Sequence, residues 1–247
     1  MARMLIALAL PMAGWAAQGA APTPMEALAA AARTHDEQAL AQLSEKLIAA
    51  ADSATESYDA QRAAAECLLV QATRLQNDRK IRKLPGKEDK AKRAQQVSLG
   101  NQGIPYAESA LNLAESGAEK AQAHRVLGEL YSHLITGPIT GFKYGSTSLS
   151  HIQEALKLLP DDPECNRAIG MMYLHNPPMK GGDAEKAIAT YKRCAELDEE
   201  NDLYPLLLAM AHRKKKQFDE ARRAAAWALK LNPANLDAKH LLTALYE

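Results

Sequence analysis

The C-terminal half of the 247-residue chain repeats itself. Residues 162–201, DPECNRAIGMMYLHNPPMKGGDAEKAIATYKRCAELDEEN, and residues 201–235, NDLYPLLLAMAHRKKKQFDEARRAAAWALKLNPAN, share one order. Each has an apolar helix, a polar break, a second helix with alanines at fixed offsets, and a polar or proline-bearing stop. A third copy is built from EKAQAHRVLGELYSHL (119–134) and SLSHIQEALKLLPDDPE (148–164). Such a unit cannot bury its own apolar face, so copies must stack. Small side chains at recurring positions let antiparallel helices approach closely, and large neighbours fill the flanking holes. An all-α solenoid follows.

Composition agrees. Aromatics make up only 5% of residues, and the few β-branched runs argue against a sheet. Abundant Ala, Leu, Glu, Lys and Arg favour helix. Thirty basic and 30 acidic residues cancel, which argues against a nucleic-acid binder. Helices are expected at about 24–34, 37–51, 56–83 and 88–116, the last loosened at Gly100 and Gly103. The closing segment NLDAKHLLTALYE (235–247), with a capping helix at 236–246, covers the apolar face of the last repeat, as terminal repeats require.

The residues that recur resemble the tetratricopeptide repeat (TPR), a helix–turn–helix unit of about 34 residues. In the last copy Leu208, Ala209, Phe218, Ala221, Ala228 and Pro233 fall on the repeat's characteristic positions. The middle copy offers Gly170, Tyr173, Ala187, Tyr191 and Cys194; the earlier one offers Leu127, Gly128, Tyr131, Ala155 and Pro160, with Ser148 where an alanine is usual. The clearest copies span about 121–160, 163–198 and 202–235, and the solenoid as a whole 56–247, after N-terminal helices in 20–55. The order of a long helix pair, GIPYAESAL, HRVLGELY and YGSTSLSHIQEALKLLP also resembles a divergent TPR domain over residues 56–246. That domain is shared by regulator-of-microtubule-dynamics proteins and the periplasmic T-component of tripartite (TRAP-type) solute transporters. The resemblance implies a protein that works by binding.

The N-terminus reads MARMLIALALPMAGWAAQGAAPTP. A single Arg3, an apolar stretch over 4–17 and a small-x-small site at Ala17-Gln18-Gly19 have the form of a signal peptide, residues 1–19. The apolar stretch is shorter than the roughly 20 residues a membrane span needs. A periplasmic or secreted chain, not membrane-spanning once the signal is removed, is therefore expected. Of Cys67, Cys165 and Cys194, the last two lie on successive antiparallel helices; one bridge between them, or three buried thiols, both fit the spacing.

LHNPPMKGGDAEKA (174–187) breaks the helical pattern. A phosphate-binding loop would need G-x-x-x-x-G-K-[ST] after a strand, and here Lys180 precedes the glycines. Asn176-Pro177-Pro178 instead stops one helix, Gly181 and Gly182 permit the turn, and Asp183 caps the next helix. This connector and ITGPITGFKYGSTS (135–148) are both longer than usual, and insertions on one face often mark a binding face. That edge should carry Phe142, Lys143, Tyr144, Lys180, Lys214, Lys215 and Lys216, with 79–93 beside them. The opposite edge carries the acidic segments 160–164 and 195–202. Charged residues at helix ends also simply solvate turns and offset macrodipoles, so the two accounts compete.

Carried over from TPR domains, the first helices should line a concave groove presenting Arg125, Glu129, His133, Arg167, Met171, His175, Leu206, Met210 and Arg213. This mixture suits an extended peptide or a helix with an acidic residue, although the paired asparagines of carboxylate-clamp TPR domains are missing. Met171, His175 and Met179 recur every four residues, but the prolines break the register needed for a copper site. No H-E-x-x-H or G-x-S-x-G occurs, and His124, His133, His151 and His212 stand alone. The expectation is a non-enzymatic scaffold for a protein or peptide, without cofactor or metal. The alternative is an accessory subunit of a TRAP-type transporter, contacting a small organic ligand in a central cavity.

Overall fold

The computed structural model describes residues 22–246, so the signal peptide expected at 1–19 lies outside the described residues. Eleven α-helices make up the described fold: α1 (Pro24–Thr34), α2 (Glu37–Ser53), α3 (Tyr58–Arg82), α4 (Gly86–Leu113), α5 (Gly117–His133), α6 (Pro138–Leu158), α7 (Pro163–His175), α8 (Ala184–Leu197), α9 (Leu203–Lys214), α10 (Phe218–Leu231) and α11 (Leu236–Thr243). No strand occurs among the described residues. The architecture is a TPR-type α-solenoid of antiparallel pairs ending in the short helix α11.

Local chemistry sets the helix boundaries. Thr23 and Glu26 form a reciprocal capping box at α1, as Ser116 and Glu119 do at α5, each satisfying backbone donors that the first turn leaves open. Asp36, Asp162 and Asp183 accept from the first-turn amides of α2, α7 and α8. Pro24, Pro138 and Pro163 sit in first turns, where proline loses no helical bond.

Successive pairs α3/α4, α5/α6, α7/α8 and α9/α10 pack side by side, and the first helices α3, α5, α7 and α9 also touch one another along the inner face. Alanine makes this possible: Ala121, Ala123, Ala155, Ala168, Ala187, Ala221, Ala225 and Ala228 are all essentially inaccessible. Gly128 faces α6 so closely that a Cβ there would lie 2.6 Å from Ile152 Cγ1 and 2.9 Å from the Ser148 carbonyl oxygen. Ser148 is fully buried and donates its hydroxyl to the Gly128 carbonyl at 2.6 Å. The serine in place of the usual alanine therefore adds an interhelix hydrogen bond at this tight crossing.

Two expectations fail here. Helix α4 is continuous through Gly100 and Gly103, with Pro105 inside it. The glycines do not loosen it. They admit α5, since a Cβ on Gly100 would stand 3.0 Å from Leu134 Cδ2, and one on Gly103 2.9 Å from Leu130 Cδ2. The segment 135–148 is not a long connector either. α6 begins at Pro138, so only residues 134–137 join it to α5. Thr140 Oγ1 accepts from the amides of Thr136 and Gly137, and that cap nucleates a helix whose packing against α5 outweighs the cost of Gly141 and Gly145, about 1 kcal/mol each.

The solenoid closes on itself. α11 returns to pack on α3, where Asn77 Nδ2 donates to Asp237 Oδ2 at 3.3 Å. Asn232 Nδ2 donates to the Arg33 carbonyl at 2.9 Å, linking the last repeat to α1. Arg213 on α9 reaches the carbonyls of Lys80 and Ile81 at the end of α3.

Candidate functional site: a closed interior and one exposed edge

Helix α3 fills part of the concave face and leaves a cleft beside it. Because α3 lies against α5, α11 and α1, most residues expected to line an open groove are inside the protein. Arg125, Glu129, His133, Arg167, Leu206 and Met210 are buried; Met171, His175 and Arg213 are part-buried. Of these, Glu129, His133 and Met210 are packed inside, while Arg125, Arg167 and Leu206 still border an open cleft. The apolar members of the expected groove join the core, Leu206 and Met210 within the cluster of α8–α11.

The charged members join one another. Arg125 Nη2 lies 2.6 Å from Glu66 Oε2 on α3, and Nη1 lies 3.0 Å from Glu129 Oε1. Arg167 forks onto Glu129, Nη1 to Oε2 and Nη2 to Oε1, both at 2.7 Å. Arg167 Nε meets Glu164 Oε2 at 2.8 Å, and Tyr204 donates to Glu164 Oε1 at 2.7 Å. The chain of contacts thereby ties α3, α5, α7 and α9 together. Burial alone would raise the Glu164 carboxyl, but Arg167 and Arg125 outweigh it and hold the group down at about 2. His133, next on the same face of α5, hydrogen-bonds Thr73 and Gln96. Burial, followed by the charge of Arg167, pushes it down to about 3.

The sequence brought Arg125, Glu129 and Arg167 to one face but missed Glu66, Glu164 and Tyr204. Glu66 sits in AAAECLLV, an apolar run on a helix with no clear repeat signature. A lone carboxylate in such a run was the available signal, because a buried charge requires a partner.

Beside this network a cleft of about 620 Å³ opens toward the N-terminal ends of α5, α7 and α9. Met25, Leu28, Leu69 and Val70 supply apolar lining, and Asp162, Asp198, Asp202 and Asp237 are among its acidic residues. Arg62 Nε and Asn77 Oδ1 are buried with no hydrogen-bond partner among the described residues, and both residues line the cleft.

The opposite edge gathers the junctions between first and second helices. Arg93, early in α4, donates to the Thr136 carbonyl at 3.0 Å; Lys214 reaches the Leu174 carbonyl; Lys215 pairs with Glu185. Lys216 takes the left-handed conformation, φ 60, that ends α9. Lys214 and Lys215 are thus engaged within the protein. Phe142, Lys143 and Tyr144 stand on α6, not in a loop, with Lys143 Nζ over the Tyr144 ring at 4.8 Å. Tyr144 in turn stacks on Tyr131, which stacks on His151, and His151 Nδ1 lies 2.8 Å from His124 Nδ1. Of the histidines expected to stand alone, these two form a pair.

Large apolar side chains project from this edge. Ile139 and Phe142, one turn apart on α6, are 87% and 86% exposed, and Met179 is 96% exposed. Met179 and Lys180 occupy a 3₁₀ turn, Pro178–Lys180, closed by Gly181 at φ 83. A Cβ on Gly182 would fall 1.8 Å from the Asn176 carbonyl oxygen, so both glycines are required by the turn. Met179 points into solvent while His175 Nε2 is buried, so the Met171–His175–Met179 series does not converge. All three cysteines are buried free thiols; Cys194 Sγ contacts the Pro163 carbonyl at 3.3 Å and no bridge joins it to Cys165. Among the described residues no helix is long and apolar enough to cross a membrane.

Paired helices, close-contact alanines and a capping helix define a TPR-type α-solenoid. Known proteins agree at the level of fold. The tetratricopeptide repeat family matches over residues 179–201. The structure is similar to that of a thermophilic TPR protein from Thermus thermophilus, with a TM-score of 0.63 and 16% identity over 90% of this chain and 98% of that one. It is also similar, at a TM-score of 0.43 and 16% identity, to YrrB, a TPR protein with an unusual peptide-binding site, over 83% and 81% of the two chains. No curated protein matches the sequence.

Proposed function

We propose that the protein is an exported, periplasmic scaffold that binds a protein or peptide partner along the exposed edge, without catalysing a reaction. The observation that carries this reading is the projection of Ile139, Phe142 and Met179 almost fully into solvent on the edge where the helix junctions gather. Leaving such side chains in water forgoes about 1.5–3 kcal/mol each, and Ile139 and Phe142, one turn apart on α6, form an exposed apolar pair of the kind that favours an interaction surface. Contacts of α3 with α5, α11 and α1 narrow the interior, which favours the edge over a peptide groove. Lys143 and Lys180 flank the apolar groups, which favours a partner segment with acidic residues beside its apolar anchors. The signal-like N-terminus supports export.

The test is affinity purification of partners with the intact exported protein and with Phe142→Ser. A partner retained by the first and lost by the second, with unchanged helix content, supports the reading. Equal retention by both refutes the edge.

The cleft favours a second reading, an accessory subunit of a solute-uptake system akin to the TRAP T-component. Its volume suits a small organic ligand, and the unpartnered Arg62 Nε and Asn77 Oδ1 are polar anchors for one. Neighbouring genes for a transporter's binding protein and membrane subunits would favour this reading over the scaffold.

A further inference from the structure

The two edges of the solenoid carry opposite charge, although the chain is neutral overall. On the edge where first helices join second helices, residues 79–93 hold eight cations and two carboxylates, and 213–220 hold four and two. On the opposite edge, residues 52–59 hold three carboxylates and 196–202 hold five, with no cation in either segment.

Helix macrodipoles account for part of this pattern, but two charges run against them. α6 has no carboxylate in its first turn, and its first charged residue is Lys143, in the positive half of the helix. α8 has no cation in its last turn and places Glu196 there, at its negative end. Some neighbouring charges are used internally: Lys215 pairs with Glu185, and Arg193 with Asp161 and Glu196. Lys143, Lys180, Glu199 and Glu200 are exposed and enter no ion pair among the described residues.

Each contrary charge stands beside exposed apolar surface. Lys143 follows Phe142, which projects from α6 together with Ile139. Glu196 and Glu199 border an open hollow of about 360 Å³ toward the C-terminal ends of α8 and α10, lined also by Lys192, Ala195 and the exposed Trp227. That volume is at the lower end of the range that takes a whole small ligand, and it is ample for one or two apolar side chains.

We propose that copies of this chain associate head to tail. Ile139, Phe142 and Lys143 of one copy dock on the hollow formed by Trp227, Glu196 and Glu199 of the next. An aromatic ring against an indole buries a large apolar area. Opposite charges around it fix the register, and like-charged edges reject one another. The two patches lie on opposite edges, so a single neighbour cannot satisfy both. The contact is therefore heterologous and leaves one patch free at each end of the assembly. This rests on the reading of the Ile139–Phe142 edge as a docking surface and names a second copy as its partner.

Sedimentation velocity of the intact protein over a hundredfold range of concentration tests this. It is run at about 0.1 M and about 1 M sodium chloride, between which the Debye length falls from about 10 Å to about 3 Å. The expected result is assembly that grows past two copies at the lower salt and weakens at least tenfold at the higher. Phe142→Ser and Glu199→Lys, with unchanged helix content, should each weaken assembly tenfold or more. Mixed in equal amounts they should form a one-to-one pair that grows no further, because each supplies the patch the other has lost. Glu45, exposed on α2, belongs to neither patch, and Glu45→Lys should leave assembly unchanged. A wild-type chain that stays monomeric or stops at a closed dimer overturns the proposal, as does a mixture that forms no pair. Equal weakening by Glu45→Lys also overturns it, since that would reflect diffuse charge. A monomeric protein that still loses a retained partner on Phe142→Ser overturns self-association alone and leaves the docking edge standing.

Discussion

Arg167 on α7 grips Glu129 on α5 with both ends of its guanidinium, each contact 2.7 Å long and both side chains about 95% buried. Planar two-point contacts of this kind fix orientation as well as energy. Arg125 grips the same carboxylate from the other side, so Glu129 is the centre of the interior network.

Removing that centre leaves two buried cations short of a partner. Glu129→Ala is expected to destabilise the fold by about 3–5 kcal/mol, read as a lowered urea midpoint. A loss below about 1 kcal/mol would mean that Glu66 and Glu164 suffice without it.

The crossing of α5 and α6 should be intolerant of bulk. Gly128→Ala drives a Cβ into the Ser148 carbonyl and Ile152, at an expected cost of about 1–3 kcal/mol. Ser148→Ala removes only the 2.6 Å bond to Gly128 and should cost about 1 kcal/mol. Thermal melts of the two variants check the order, which would be wrong if Ser148→Ala proved the more damaging.

Acid should weaken the fold from about pH 6.5 downward. Burial holds His133 and His175 at about 3, and burial with Arg74 holds His35 at about 4. The unfolded chain takes up protons near pH 6.5 while the folded one does not. Stability from these groups is therefore complete above that pH and is lost as pH falls toward the folded values. Glu164 adds a further loss below about pH 4.5. Urea midpoints at about pH 7.5 and pH 5 measure this, and equal midpoints would contradict it.

Asp237 has the opposite sign. Burial raises it to about 6, against the lowering contributions of Asn77 and Arg74. Its ionised form is disfavoured in the fold, so its contribution is present at low pH and lost as pH rises through about 6. Asp237→Asn should stabilise the protein at about pH 7.5 by roughly 1–2 kcal/mol and confer no gain near about pH 4. A gain that persists in acid would trace to packing instead of charge.

The repeat was readable because its signal is local. Ala221 and Ala228 sit where two helices must touch, and the sequence marks such places directly. Asp183 as a cap and Pro177 as a stop are likewise decided within one turn of chain. The narrowing of the groove by α3 was not readable, because it rests on contacts 59 to 160 residues apart in sequence, such as Glu66–Arg125 and Asn77–Asp237. No spacing rule encodes the curvature that closes a solenoid. The exposed edge lay between these cases: Lys180, Phe142 and Lys143 were named from connector length, although Pro138 and the Thr140 cap had turned the longer connector into helix.

Docking of a partner on Ile139, Phe142 and Met179 is the proposal that one measurement tests most directly. The direct measurement is the affinity of a purified partner for the wild-type protein and for the double variant Ile139→Ser, Phe142→Ser. The account predicts a loss of at least tenfold with an unchanged melting temperature; an unchanged affinity would contradict it.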